Sequence, residues 1–342
     1  NNGSWDNCAI DTMTLSVYNF NCSNVAVPVT VQMVVFDVYG NSDTCYTVVT
    51  VIDTIAPIAV CTTTTLYLDA MGVATLDAQD LDGGSSDACG GLTFSANPSN
   101  FTCANVGSNS SVLTVTDVNA NSSTCVGTVM VFDTIDPVAI CQNITIQLNS
   151  GGTASIVGSQ LNNGSSDACG IASYSANPNT FTCANVGPNT VVMTVTDVNG
   201  NTATCTSIVT VQDLVPPVAL CQNITIQLDV TGNASIVGSQ LNNGSSDACG
   251  IASYSANPNT FTCANVGPNT VVMTVTDVNG NTATCTSIVT VQDLVPPVAL
   301  CKDITIQLNA GGTASITGSQ LNNGSSDACG IASYSANPNT FN

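Results

Sequence analysis

The sequence predicts an all-β fold, a tandem array of small, disulfide-bonded β-sandwich domains of about 80 residues each. Composition is the first observation behind this prediction. Of 342 residues 44% are hydrophobic and only 7% are charged, and the charged residues include no Glu and no Arg. The chain therefore lacks the common surface helix formers and is rich in Thr, Val, Asn and Gly, which favour strands and turns. An internal repeat and the spacing of the cysteines are the other two observations.

The repeat is visible in the cysteines, because Cys61, Cys141, Cys221 and Cys301 recur at a constant interval of about 80 residues. Residues 141–220 and 221–300 differ at only four positions. We expect a partial repeat lacking its N-terminal part, three full repeats, and a partial repeat lacking its C-terminal part. Their predicted bounds are 1–53, 54–133, 134–213, 214–293 and 294–342.

Short strand patterns fill each repeat. Apolar residues alternate with polar ones from Ile144 to Leu148, and this alternation slips at 141–143, which predicts a kink where the first strand changes sheets. The Asn199-Gly200 pair is typical of a two-residue type I′ hairpin. Pro216-Pro217 cannot continue a sheet and marks a junction between repeats. Several short strands with frequent turns in about 80 residues indicate an immunoglobulin-like sandwich.

The 17 cysteines are regularly and widely spaced, which predicts disulfides rather than zinc sites and therefore an extracellular location. Four cysteines in a repeat allow three pairings. We expect one bond to tie the first strand to the last and the other to close a 14-residue excursion. The predicted pairs are Cys61–Cys125, Cys141–Cys205, Cys221–Cys285, Cys8–Cys22, Cys89–Cys103, Cys169–Cys183 and Cys249–Cys263.

Three cysteines are left over in this scheme. Cys45, Cys301 and Cys329 lack partners because the terminal repeats are incomplete. An alternative pairing joins neighbouring repeats, for example through Cys125 and Cys141, and leaves Cys169 bonded to Cys183.

Charge and composition restrict the function. With no His and no Glu, the common catalytic dyads and most carboxylate pairs cannot be built, so we expect no enzyme activity. A net charge of -21 with Lys302 as the one basic residue disfavours nucleic acid and anionic membranes as partners. There is no run of about 18 apolar residues, so we expect no membrane insertion in this segment.

Aspartates recur at fixed positions in each repeat and suggest Ca²⁺ as a candidate cofactor, since its ligands are oxygen atoms. The candidate ligands are Asp197 in the hairpin and Asp213 at the junction, with their equivalents Asp277 and Asp293. The alternative is that these aspartates only fill turns and cap loops.

Four segments of the repeat carry a resemblance to a known family, namely DLVPPVALCQNITIQL, SSDACG, FTCANVG and TVTDVNGNTATCTSIVTVQD. They resemble the hyalin repeat (HYR), an immunoglobulin-like module of extracellular adhesion proteins, and the likeness extends over the whole chain. The chain is most similar to the SprB-like gliding motility adhesins of Bacteroidota, which leave the cell by type IX secretion. The first repeat departs from the pattern at Trp5 and Asn7 and has one extra residue between Cys22 and Cys45.

The resemblance implies filaments on the cell surface that attach to an extracellular surface or a polysaccharide substratum and that can associate with one another. It also implies O-glycosylation in Asp-Ser/Thr-apolar triplets, with Thr12, Thr54 and Thr134 as candidate sites. The leading hypothesis is therefore a stiff extracellular spacer or fibre in a secreted adhesin. One alternative is the stalk of a large secreted enzyme whose catalytic domain lies outside this sequence. Another is a polymer completed by exchange of half-repeats.

Overall fold

The computed structural model describes residues 3–342 and confirms an all-β architecture of disulfide-bonded, sandwich-like repeats. Contacts divide the chain into two compact units, and the division runs through the third repeat. Unit 1 holds residues 1–140, 164–174 and 194–204, and unit 2 holds 141–163, 175–193 and 205–342. Within residues 3–342 no helix is long and apolar enough to cross a membrane.

The first two repeats contribute nine strands. They are β1 (Ile10–Leu15), β2 (Val29–Asp37), β3 (Ser42–Val49), β4 (Thr63–Tyr67), β5 (Val73–Thr75), β6 (Thr93–Asn97), β7 (Asn100–Thr102), β8 (Gly107–Thr116) and β9 (Ser122–Phe132). Short 3₁₀ helices cover Cys22–Asn24, Ala78–Leu81 and Cys103–Asn105.

The third and fourth repeats each have six strands of matching length. They are β10 (Ile144–Gln147), β11 (Thr153–Ser155), β12 (Ile171–Asn177), β13 (Thr180–Thr182), β14 (Gly187–Asp197), β15 (Thr202–Gln212), β16 (Ile224–Gln227), β17 (Asn233–Ser235), β18 (Ile251–Asn257), β19 (Thr260–Thr262), β20 (Gly267–Asp277) and β21 (Thr282–Gln292). Their 3₁₀ helices are Gly158–Gln160, Cys183–Asn185, Gly238–Gln240 and Cys263–Asn265. The last repeat has β22 (Ala314–Ser315), β23 (Thr340–Phe341) and one helical turn, α1 (Gly318–Leu321).

Two sheets form the sandwich of each full repeat, as the second repeat shows. The larger sheet has the order β4-β9-β8-β6, in which β4 runs parallel to β9 and the other neighbours are antiparallel. The smaller sheet pairs β5 with β7. Strands β8 and β9 are the longest, and they alternate buried with partly or fully exposed residues, so that one face of the larger sheet is directed to the core.

The core between the sheets is small. In the second repeat it consists of eight buried side chains, namely Leu68, Leu76, Leu81, Phe101, Leu113, Val115, Val129 and Val131. Burying a side chain of this size stabilises a fold by about 1.5–3 kcal/mol. A core this small leaves the repeat dependent on cross-links, as is usual for small extracellular domains.

The first strand of the repeat changes partners where the alternation slips. In the fourth repeat Val218 and Cys221 pair with Ser246 and Asn242 in the following loop. Strand β16 then leaves that loop and pairs in parallel with β21. The predicted kink is therefore present, and it lies beside the cysteine.

The hairpin predicted at Asn199-Gly200 has a different turn. The amide of Asp197 donates to the carbonyl of Asn201 at 3.1 Å, which closes a three-residue loop, and in that loop Gly200 alone has a positive φ, of 98°. A type I′ turn would need a positive φ at Asn199 as well, so that prediction is wrong. The reason is local, because the Asp197 carboxylate accepts the amides of Asn199 and Asn201 at 2.9 and 2.8 Å and fixes a wider turn.

The second repeat tests this turn, because Ala120 occupies the position of Gly200 with a φ of 72°. We expect Ala120→Gly to stabilise the hairpin by about 0.5–1 kcal/mol, since a left-handed alanine is strained and a glycine is not. Gly200→Ala should destabilise its own hairpin. Hydrogen–deuterium exchange over residues 113–125 and 193–205 measures both changes, and faster exchange around residue 120 in the glycine variant would contradict the expectation.

Candidate functional site at the joint between repeats

One set of disulfides lies inside the repeats and agrees with the predicted pairing. Cys61–Cys125, Cys141–Cys205 and Cys221–Cys285 each join the start of a repeat to its last strand, with Cα atoms 5.8–5.9 Å apart. Because each bond closes a long loop, it restricts the unfolded chain and stabilises a repeat by roughly 2–4 kcal/mol.

The second set joins consecutive repeats and corrects the prediction. Its bonds are Cys22–Cys89, Cys103–Cys169, Cys183–Cys249 and Cys263–Cys329. The predicted local pairs Cys8–Cys22, Cys89–Cys103, Cys169–Cys183 and Cys249–Cys263 are therefore wrong, and so is the alternative Cys125–Cys141. Among residues 3–342, Cys8, Cys45 and Cys301 are unpaired and exposed, whereas Cys329, which was expected to be left over, is bonded.

The reason is the strand that separates the two cysteines of the expected local pair. In the fourth repeat Cys249 precedes β18 (Ile251–Asn257) and Cys263 follows the next short strand. A seven-residue strand carries the chain about 23 Å, whereas a disulfide requires Cα atoms within about 7 Å. Each cysteine therefore bonds to a neighbouring repeat.

The inter-repeat bond is packed as well as covalent. Cys169 contacts the core of the second repeat, and Cys329 contacts the core of the fourth. A glycine turn makes room for the sulfur atoms, since a Cβ placed on Gly232 would lie 2.7 Å from Cys263 Sγ and 3.1 Å from Ala328 Cβ. The equivalent glycines are Gly72 and Gly152.

An acidic cluster lies beside each inter-repeat bond. Asp133 at the end of the second repeat comes together with Asp167 and Cys169 of the third, with one ligand atom of each within 4.8 Å of the others. Asp133 is 9% exposed and accepts the amide of Ile135 at 3.1 Å, while its Oδ2 is buried without a hydrogen-bond partner. Asp167 accepts the amide of Cys169 at 2.7 Å. Two carboxylates therefore lie close together, and one oxygen of the Asp133 carboxylate has no hydrogen-bond partner.

The hairpin of the third repeat completes this joint. Asn201 donates its side-chain amide to the backbone carbonyl of Asp133 at 3.3 Å and to Asp197 Oδ2 at 2.8 Å. Asn199 Oδ1 in the same hairpin is buried and has no hydrogen-bond partner. The joint thus contains two unsatisfied oxygens, one from each repeat, which is costly unless a partner compensates them.

The aspartates predicted as ligands fall into successive joints. Asp197 lies in the hairpin that contacts Asp133, whereas Asp213 groups with Asp247 and Cys249 and receives the hairpin of Asp277 through Asn281. Asp293 groups with Asp327 and Cys329. Asp197 and Asp213 therefore lie at successive joints and not in one cluster, and metal binding by these aspartates stays a prediction. Asp53 and Asp133 were missed, although they belong to the same periodic series as Asp213 and Asp293.

The joints differ in how far their oxygens are satisfied. At the first joint Asn119 donates its side-chain amide to Asp53 Oδ2 at 3.1 Å. At the next two joints Oδ2 of Asp133 and of Asp213 has no partner. The pKa of the hairpin carboxylate Asp117 is lowered from its usual value. Burial raises its pKa, but donors from Asn121, Asn119 and Ala120 lower the pKa more, so the charged form is favoured.

The candidate glycosylation sites are exposed. Thr12 lies on β1, and Thr54 and Thr134 each directly follow the junction aspartate that ends the preceding repeat. All three side chains are accessible to a modifying enzyme, and their glycosylation stays a prediction.

Comparisons with known proteins add the following. No family model and no curated protein matches the chain. Among solved structures it is similar to the PcdhgB3 EC1-4 fragment, with 13% identity, 79% of this chain and 84% of that chain covered, and a TM-score of 0.30. It is also similar to Sidekick-1 immunoglobulin domains 1-5, with 10% identity, 79% and 67% covered, and a TM-score of 0.29. Because both scores are low, the function has to be argued from the chain's own residues.

The glycine turn at the joint gives a paired test. We expect Gly232→Ala to lower the stability of the chain by more than Gly312→Ala. Both glycines have a φ of +74°, so the backbone strain is shared. A Cβ on Gly232 would also clash with Cys263 Sγ and Ala328, whereas a Cβ on Gly312 would have no neighbour within 4 Å. The shared backbone strain is about 1–2 kcal/mol. Thermal unfolding of the two oxidised variants measures the difference, and equal losses would mean that the turn does not support the joint.

Proposed function

We propose that this chain is the structural repeat region of an extracellular surface adhesin or filament, and that it acts as a spacer or fibre without catalysis. The observation that carries the proposal is the inter-repeat disulfide, which recurs at four successive joints. A linker between independent domains is usually flexible and makes few contacts. A disulfide at each joint instead ties every repeat to the next by a second covalent connection, as a spacer or fibre requires.

Disulfide content supports an extracellular site of action. Seven disulfides within residues 3–342 require an oxidising compartment to form and persist, and cytosolic proteins seldom contain such a set. The acidic surface, with a net charge of -21, keeps such an array soluble although its charged content is only 7%.

The resemblance to hyalin repeats and to SprB-like adhesins supplies the finer part of the proposal. From this resemblance we propose that the array lies on the surface of a gliding member of the Bacteroidota, is exported by type IX secretion, and attaches to an extracellular surface or a polysaccharide. Copies of the array would associate laterally in a filament. These assignments rest on the four quoted sequence segments.

Calcium at the joints is part of the same proposal. The donors fit, because carboxylate and amide oxygens are the ligands that Ca²⁺ prefers, and the sulfur of Cys169 is already in a disulfide. Asp133 and Asp167 would hold the ion, with Asn199 as a further oxygen donor from the hairpin. A bound cation would compensate the buried Asp133 Oδ2, which no protein group satisfies.

A calcium response that depends on the joint is therefore expected. Calcium at about 100 times its dissociation constant should stabilise the chain by about 2.7 kcal/mol, seen as a higher unfolding temperature than in a chelator. In Asp213→Asn the response should be smaller, because the third joint has lost a ligand, while stability in the chelator should be unchanged or higher because a buried charge is gone.

Asp229→Asn is the matched control, since this exposed aspartate accepts hydrogen bonds within its own turn and belongs to none of the acidic clusters. Equal calcium responses in Asp213→Asn and the unmodified chain would contradict a site at this joint. No response in the unmodified chain would contradict calcium binding altogether, and the proposed structural role would remain.

The structural role itself is tested by immunogold electron microscopy of intact cells of the source organism, with an antibody raised against residues 141–220. Gold along thin fibres that leave the cell is the expected result. Gold confined to the envelope, or antigen found only in the medium, would contradict a surface filament.

A further inference from the structure

We propose that the inter-repeat disulfides form a continuous covalent load path, which limits how far the array can lengthen under tension even if every repeat unfolds. The inference concerns mechanical behaviour and goes beyond the proposed function, because it depends only on which cysteines are bonded. It holds for any array with this connectivity, whatever the array adheres to.

The path is set by the order of the bonds along the chain. In the second repeat, Cys89 is bonded to Cys22 of the preceding repeat, and Cys103 is bonded to Cys169 of the following repeat. Only a 14-residue step separates these two positions. The same step occurs from Cys169 to Cys183 and from Cys249 to Cys263. Force can therefore cross each 80-residue repeat through a short segment, and the remaining residues carry none of it.

The length of that segment limits extension. Fourteen residues span at most about 50 Å when fully extended, whereas about 80 residues span up to about 290 Å. Each bond adds little, since its Cα atoms are 5.0–5.2 Å apart. A repeat that loses its core under load is thus held to roughly a fifth of the length that its chain could otherwise reach.

The two sets of disulfides have separate tasks in this arrangement. Cys61–Cys125 and its equivalents close a repeat on itself and do not lie on the shortest path. They stabilise the sandwich against unfolding, whereas the inter-repeat disulfides limit how far the chain extends after a repeat has unfolded.

Single-molecule force spectroscopy on the full chain, held by handles at its two ends, tests the inference. In oxidising buffer the segment from Cys22 to Cys329 should extend to about 170 Å, and after reduction the same segment should reach about 1,100 Å. Full extension in oxidising buffer would overturn the load path, and it would leave a surface location of the array intact.

Two double variants locate the path. Cys103→Ser with Cys169→Ser should lengthen the oxidised molecule by roughly 140 Å, since the shortest remaining route detours through Cys61–Cys125 and Cys141–Cys205. Cys61→Ser with Cys125→Ser should leave the limiting length unchanged even if that repeat unfolds more easily. Equal lengthening in both variants, or in neither, would overturn the assignment.

Discussion

The limited size of each core is the constraint on which the rest of this structure depends. Eight or nine buried side chains hold the two sheets of a repeat together, and a core of this size leaves a repeat of about 80 residues marginally stable by itself. Covalent and polar interactions therefore do at the joints what a buried apolar interface does in larger proteins. A disulfide closes the end of one core with a cysteine from the next repeat, and the backbone carbonyl of the junction aspartate accepts a hydrogen bond from the hairpin of that repeat. The sandwich and the joint are thus stabilised by different chemistry.

The fold itself follows closely from local sequence. The alternation from Ile144 to Leu148 predicted strand β10, and the slip beside Cys141 predicted the kink; both are short-range patterns. The bond from Cys141 to Cys205 could also be predicted, because it joins the first and last strands of one sandwich. The turn at Asn199-Gly200 could not be predicted in the same way. There the outcome depends on the Asp197 carboxylate, which accepts two amides and stabilises a loop that the dipeptide alone does not favour.

The joint was harder to predict because it depends on distances in space between residues, and these do not follow from the number of residues between them in the sequence. Cys249 and Cys263 are close along the chain and yet are held apart by a strand, so a pairing argument based on loop length selected the wrong partner. The acidic residues show a similar effect. Asp213 and Asp197 recur within one repeat, but Asp213 meets Asp247 of the following repeat, whereas Asp197 holds Asn201, which donates to Asp133 of the preceding repeat. Recurrence at the repeat interval identifies such positions without indicating whether they act inside a repeat or across a boundary.

The overlap of the two disulfide sets has a consequence for how such a gene can change in length. Each of the three full repeats supplies one cysteine to the repeat before it and one to the repeat after it, at fixed positions in the 80-residue unit. Loss or duplication of a whole unit therefore leaves the internal cysteines matched, and the near-identity of residues 141–220 and 221–300 is the condition under which recombination produces such changes. An insertion or deletion of part of a unit would instead strand thiols on both sides. The length of the array can thus vary in steps of one repeat without any new cysteine pairing having to evolve.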